Sequence, residues 1–174
     1  MDPLYEILKI VLPSTVVFVA VFIIMRTFFE NDQKRRDHEI RRNTQSTVIP
    51  LKLQAYERIV IFLERIHPNT IAVRLNKHGS TAAQLHMDLI KTIRQEYEHN
   101  LSQQIYVSHA TWELVKTAKE EITKLVNVSA SKVPQDAPAN DLAMMVINIA
   151  SNLGKKLPNE VALDFIKKEV AQLF

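Results

Sequence analysis

Hydrophobic residues along this chain fall into one unbroken run followed by a series of stripes. The run, IVLPSTVVFVAVFIIM from Ile10 to Met25, is sixteen residues without a charge. Lys9 and Arg26 bound it, and Phe28 and Phe29 extend its apolar character. A bilayer's hydrocarbon takes about 20 residues of helix, and basic side chains at the ends of a span can reach the interface. The run therefore predicts an N-terminal transmembrane helix within residues 1–29. Acidic leading residues (Asp2, Glu6) and the lack of an A-x-A site argue against a cleaved signal peptide. Residues 1–8 hold no Lys or Arg, whereas Arg26, Lys34, Arg35, Arg36, Arg41 and Arg42 follow the run. Positive charge favours the cytoplasmic side. The expectation is a single-pass inner-membrane protein, N-terminus outside and residues 30–174 in the cytoplasm.

Residues 30–47 are polar all round, with Ile40 their only large aliphatic residue before Val48, and read as a charged stalk or linker. From 48 to 174 the pattern becomes helical. Pro50 suits a first helical turn. Leu53, Ala55, Tyr56, Ile59, Val60, Phe62, Leu63 and Ile66 share one half of the helix that follows, with Ile61 on the other half. His67-Pro68 ends it. Ile71, Val73 and Leu75 alternate as in a strand, and QQIYVS at 103–108 is a candidate partner, which leaves open a minor two-stranded ribbon. Thr81 with Gln84 has the form of a capping box, opening a helix striped by Ala82, Leu85, Leu89, Ile90, Ile93 and Tyr97. Ser108 caps a longer helix to about Val128. A broad-faced helix from Leu142 ends near Gly154, and Pro158 begins a last one whose inner side is Ala162, Phe165, Ile166, Val170 and Leu173. The expected fold class is all-α: transmembrane helix, stalk, then a cytoplasmic bundle of about five helices.

Composition narrows the function classes. The chain has no cysteine, which excludes disulfides and thiolate metal sites. Two glycines and seven prolines in 174 residues disfavour a turn-rich β fold. A net charge of +3 with acids and bases interspersed is not a nucleic-acid footprint, so no nucleic-acid partner is expected. The basic residues 34–42 have a weaker reading as a lipid-headgroup or nucleic-acid contact.

The densest polar constellation is EYEHNLSQQIYVSHATWE. It places Glu96, Glu98, His99, Ser102, Ser108, His109 and Glu113 within eighteen residues. A hydrolase needs a nucleophile or metal-bound water, a base and an orienting carboxylate. There is no HExxH or G-x-S-x-G, and adjacent Glu98 and His99 point about 100° apart on a helix. Helix capping explains the same residue types. His86 sits within an apolar stripe, where a histidine finds a hydrogen-bond partner more often than a metal. His67 and His78 lack further ligands nearby. Gly79-Ser80-Thr81 before a helix is a weak anion-binding pattern without the glycines and lysine of a phosphate loop. Trp112, Met87, Met144 and Ile61 stand at or beyond the edges of their stripes and would mark a partner surface if they met.

LQAYERIVIFLERIHP and IRQEYEHNLSQQIYVSHATWELVK resemble an uncharacterised family of membrane-anchored helical proteins from Bacteroidota-type bacteria. The resemblance implies a bacterial inner-membrane location and assigns no activity. No catalytic, cofactor-binding or metal-binding residue is assigned. The leading expectation is a non-enzymatic adaptor, scaffold or accessory subunit. Its partners would be the lipid bilayer and a protein or membrane complex, with the oligomeric state open. The alternative is a membrane-tethered hydrolase using the 96–113 corner.

Overall fold

The structure is a computed structural model. It describes the backbone of residues 3–172 and the side chains of residue 15, 17–29 and 46–172. Six α-helices follow one another: α1 (Pro3–Arg65), α2 (Pro68–Leu75), α3 (Ala82–His99), α4 (His109–Ala130), α5 (Ala139–Ser151) and α6 (Pro158–Ala171). A 3-10 helix, Leu101–Ile105, joins α3 to α4. No strand occurs among the described residues. Two compact units are distinguished, Met1–Val48 and Ile49–Phe174.

The first unit corrects the membrane expectation. Among the described residues, no helix is long and apolar enough to cross a membrane. The apolar stretch with described side chains, Val17–Phe29, is exposed throughout and interrupted by Arg26. At 1.5 Å per residue it is about 20 Å long, short of the roughly 30 Å hydrocarbon core. The side chains of 10–14 and 16 lie outside the described residues. The transmembrane helix, the single-pass inner-membrane location and the orientation inferred from Lys/Arg asymmetry are therefore overturned. The side chains of 30–45, with their Asp32–Arg36 and Asp37–Arg41 pairs, also lie outside the described residues. Pro50 does not begin a helix: α1 runs through it to Arg65.

In the second unit, residues 49–65 of α1 contribute Tyr56, Ile59, Phe62 and Leu63 to one hydrophobic core. Leu85, Leu89 and Ile93 of α3, Val115, Ile122 and Val126 of α4, Leu142 and Val146 of α5, and Ile166 of α6 complete it. An aromatic column crosses this core. Phe62 lies 6.1 Å from Tyr97 between ring centroids, and Tyr97 stacks on Trp112 at 5.7 Å. Such pairs add about 0.5–1.5 kcal/mol beyond area burial.

The minor ribbon does not exist. Ile71 is fully buried, Val73 is 67% exposed and Ala72 is buried beside Ile71, a pattern that one face of the short helix α2 produces. Residues 101–105 form the 3-10 turn instead. The one β-bridge among the described residues joins Thr81 to Pro138. Around it Ala82 N donates to Ala137 O (2.8 Å), Ala83 N to Gln135 O (3.1 Å) and Ala139 N to Ser80 O (2.9 Å). These bonds clasp the α2–α3 and α4–α5 loops together. The last helix is rotated from expectation: Leu163 is buried while Phe165 is exposed, and Leu173 lies outside the described residues.

At the end of α1, His67 N bonds to Glu64 O rather than continuing the i−4 ladder. The Leu63 carbonyl is left for another donor, as the last turn of a helix commonly requires. Asn159, fully buried at the start of α6, donates Nδ2 to it at 3.5 Å. The amide's Oδ1 is buried without a partner among the described residues.

Candidate functional site

The 96–113 corner does not converge on one centre. Glu96 pairs with Arg65 at 3.2 Å. Glu98 and His99 are exposed at the end of α3. Ser102 Oγ accepts from Gln103 Nε2 at 3.1 Å. His109, with its side chain 89% exposed, lies 3.8 Å from Glu113, which itself holds Lys116 at 2.6 Å. That lysine, ahead of His109, keeps the Glu113 carboxyl below its usual range. Among the described residues, no hydrogen bond or ion pair joins Glu98, His99 and His109, and no group of three or more His, Asp or Glu is placed to hold a metal ion.

Ser108 belongs to a different cluster that the sequence did not reveal. Its Oγ accepts from Thr111 N at 3.1 Å, capping α4, and donates to Glu169 Oε2 of α6 at 3.0 Å. The fully buried Thr111 hydroxyl donates to the same oxygen. Tyr56 of α1 turns its hydroxyl toward this carboxylate as well. Burial works to raise the Glu169 pKa, but the hydroxyls of Thr111, Ser108 and Tyr56, with Lys52 beyond them, outweigh it and hold the group below the ordinary range. Burial and the Glu169 hydrogen bond and charge push Tyr56 up to about 12, against a backbone hydrogen bond from Ser108. With no histidine base on Ser108, the cluster is a three-helix staple.

The other singled-out residues are placed as follows. Thr81 and Gln84 make the expected capping box, each side chain bonding the other's backbone N–H. The amides of Ala82, Ala83 and Gln84 are thereby all engaged, so the Gly79-Ser80-Thr81 turn offers no anion site there. His67 caps α2, its Nδ1 accepting from Asn69 N at 3.3 Å. His78 lines an open cleft between the two clasped loops. His86 Nε2 lies 2.8 Å from Asn127 Oδ1. Trp112 is core, not surface, whereas Met87, Met144 and Ile61 are exposed. The basic side chains of 34–42 lie outside the described residues.

What the corner does expose is an apolar strip. Leu101, Ile105 (73% exposed) and Tyr106 emerge on the 3-10 turn. Leu101 is also the last residue of a groove between α3 and α4. Its floor includes Ile90, Ile93 and Tyr97, and its volume is about 520 Å³. Arg94, Lys119 and Lys124 rim it against Glu98 and Glu120. Lys119 leans over the Tyr97 ring, 5.0 Å from its centroid, a favourable cation–π arrangement. Toward the start of α3 the same interhelical valley opens into a second cleft of about 470 Å³. The valley follows Ala83, His86, Ile90, Arg94, Tyr97 and Leu101, which succeed one another at helical spacing.

Fold and surface define an all-helical protein with a long interhelical groove. The chain belongs to a family of unknown function (DUF7935), matched over residues 2–173. No curated protein and no solved structure matches it.

Proposed function

We propose that this protein is a non-enzymatic binding protein whose second unit engages a protein partner along the α3–α4 groove and the 3-10 corner. The observation that carries the reading is the apolar surface of the groove, Ile90, Ile93, Tyr97 and Leu101, with Ile105 and Tyr106 exposed on the 3-10 turn that follows it. Contiguous exposed apolar surface with a polar rim is the usual mark of a protein contact. On the rim Arg94, Lys119 and Lys124 stand among Glu98 and Glu120, with Glu121 2.6 Å from Lys124, and such a mixed-charge rim selects a partner segment whose own charges complement it, since complementary charge sets specificity and association rate. A valley between two helices suits an amphipathic helix laid into it. The strings that resemble Bacteroidota-type proteins support a bacterial source.

A photo-crosslinking residue at Ile105, introduced into the chain in its native cell, tests this. The expected result is an adduct of one discrete size that disappears when Arg94→Glu and Lys124→Glu are combined with it. The same probe at Val73, exposed on α2, should give none. No adduct at Ile105, an adduct indifferent to charge reversal, or the same adduct at Val73 would sink the proposal.

A further inference from the structure

Three helix ends meet at His67. Its own amide turns back to Glu64 O as α1 closes, and its carbonyl accepts from Ile71 N at 2.9 Å as α2 opens. The ring caps the new helix, with Nδ1 accepting from Asn69 N at 3.3 Å. A backbone amide can only donate, so Nδ1 carries the lone pair and the ring's proton sits on Nε2. That second nitrogen lies 3.9 Å from Glu160 Oε1, in the first turn of α6. Glu160 is itself anchored, its Oε2 accepting from Leu157 N at 2.9 Å. The His67 side chain is only 20% exposed, so its two nitrogens face protein groups.

The two contacts make opposite demands on the ring. Capping needs a lone pair on Nδ1, whereas an imidazolium donates from both nitrogens. A second proton therefore releases the Asn69 amide while the new charge draws Nε2 toward Glu160. The charged groups around the ring are Glu160 of α6, which attracts that charge, and Lys155 of the α5–α6 loop, which repels it. Asn69 of α2 and Ser151 of α5 are neutral neighbours in the same cleft. The bond from Ile71 N to the His67 carbonyl uses no ring atom, and Ile71 and Ala72 stay fixed in the core. Protonation thus frees the first amide of α2 without unmaking the helix.

We infer that His67 is a proton-operated joint between α2 and α6. Neutral, the ring caps α2; protonated, it lets go of the Asn69 amide and pairs with Glu160. The joint is independent of the partner reading, whose residues lie on α3, α4 and the 3-10 turn.

The test is an NMR titration of the full-length chain, isotopically labelled at histidine and asparagine, between about pH 8 and pH 5, the span in which histidine changes charge. The Asn69 amide signal should shift as its acceptor is lost, along the same curve as the His67 ring. In His67→Asn the new side chain caps through an oxygen that takes up no proton in this span, so the Asn69 amide should stop responding. Glu160→Gln keeps an acceptor but removes the attracting charge, so the ring and amide curves should move together to lower pH. An Asn69 amide that does not follow the ring, a response that persists in His67→Asn, or curves unmoved by Glu160→Gln would overturn the inference. If circular dichroism shows that His67→Asn does not fold, the other two measurements decide it.

Discussion

Replacing Glu169 tests whether the staple on α6 is held by a carboxylate or merely by packing. Ser108 Oγ and the buried Thr111 hydroxyl both donate to Oε2, and Tyr56 faces it. Hydrogen bonds to a charged acceptor contribute about 1.5–3 kcal/mol each, against about 0.5–1.5 for neutral ones. Glu169→Gln keeps an acceptor oxygen but loses the charge, so roughly 1 kcal/mol per bond, or about 2 in total, should be lost. Glu169→Ala also strands the Thr111 hydroxyl, and an unsatisfied buried hydroxyl raises the loss to about 3 kcal/mol. Thr111→Val removes the donor at nearly constant shape. In Glu169→Ala/Thr111→Val the Thr111 hydroxyl is no longer there to be stranded, so the combined cost should fall short of the sum by about 1–2 kcal/mol. Urea denaturation of the four proteins at neutral pH measures this directly. The sign of the pH effect is fixed as well. A carboxyl held below its unfolded pKa stabilises above that value and stops doing so as pH falls through the folded one. The penalty of Glu169→Gln should therefore shrink on acidification through the ordinary carboxylate range and below it. Strict additivity, together with a penalty that ignores pH, would refute the charge-assisted account.

Three further outcomes follow from the same structure. Tyr56, raised to about 12, keeps a proton in the fold that an unfolded tyrosine loses near pH 10. Stability should fall as pH rises through that window, and the fall should be smaller in Tyr56→Phe, as alkaline denaturation curves would show. Asn159→Asp puts a second acceptor opposite the Leu63 carbonyl, whereas Asn159→Ala only removes the donor. Losing that long bond should cost about 1 kcal/mol, and the aspartate should cost more and worsen above its pKa, readable by thermal melts at two pH values. A fragment of residues 49–174 should melt cooperatively and stay dispersed in sedimentation. The whole chain, carrying the exposed Val17–Phe29 stretch, should self-associate in plain buffer, and a dispersed whole chain would contradict that.

Features written in neighbouring residues were legible in the sequence. Thr81 and Gln84 are three apart, so their reciprocal cap was visible, as was Ser108 before α4. The core faces of α3 and α4 followed from spacing because each helix has several turns over which a 3.6-residue period can show. α2 has only two turns, and alternating Ile71, Val73 and Leu75 imitated a strand while Ala72 carried the contrary signal. In α6, Leu163 and Phe165 are both hydrophobic, and only the packing against α4 decides which turns inward. The apolar run was read as a transmembrane span from its hydropathy, and the described part of α1 does not supply the length. The Glu169 staple was invisible because its donors on α4 lie 58 and 61 residues away. The α3–α4 valley was equally hidden, since its two walls acquire a common register only when the helices pack.

The clasp between the loops at Thr81 and Pro138 has a consequence for hydrogen exchange. Amides in the first turn of a helix have no intrahelical acceptor and ordinarily exchange with solvent without any opening of the fold. Those of Ala82, Ala83 and Ala139 are instead committed to carbonyls of another loop. Their exchange is gated by separation of two segments that enclose the whole of α3, the 3-10 turn and α4, a ring of more than fifty residues closed by three hydrogen bonds. Local fraying of α3 alone cannot release Ala139, so the three amides should exchange together and under one opening free energy. Slow and synchronous exchange at these positions, beside quickly exchanging neighbours in the same loops, would mark the ring as a single cooperative unit of the native state.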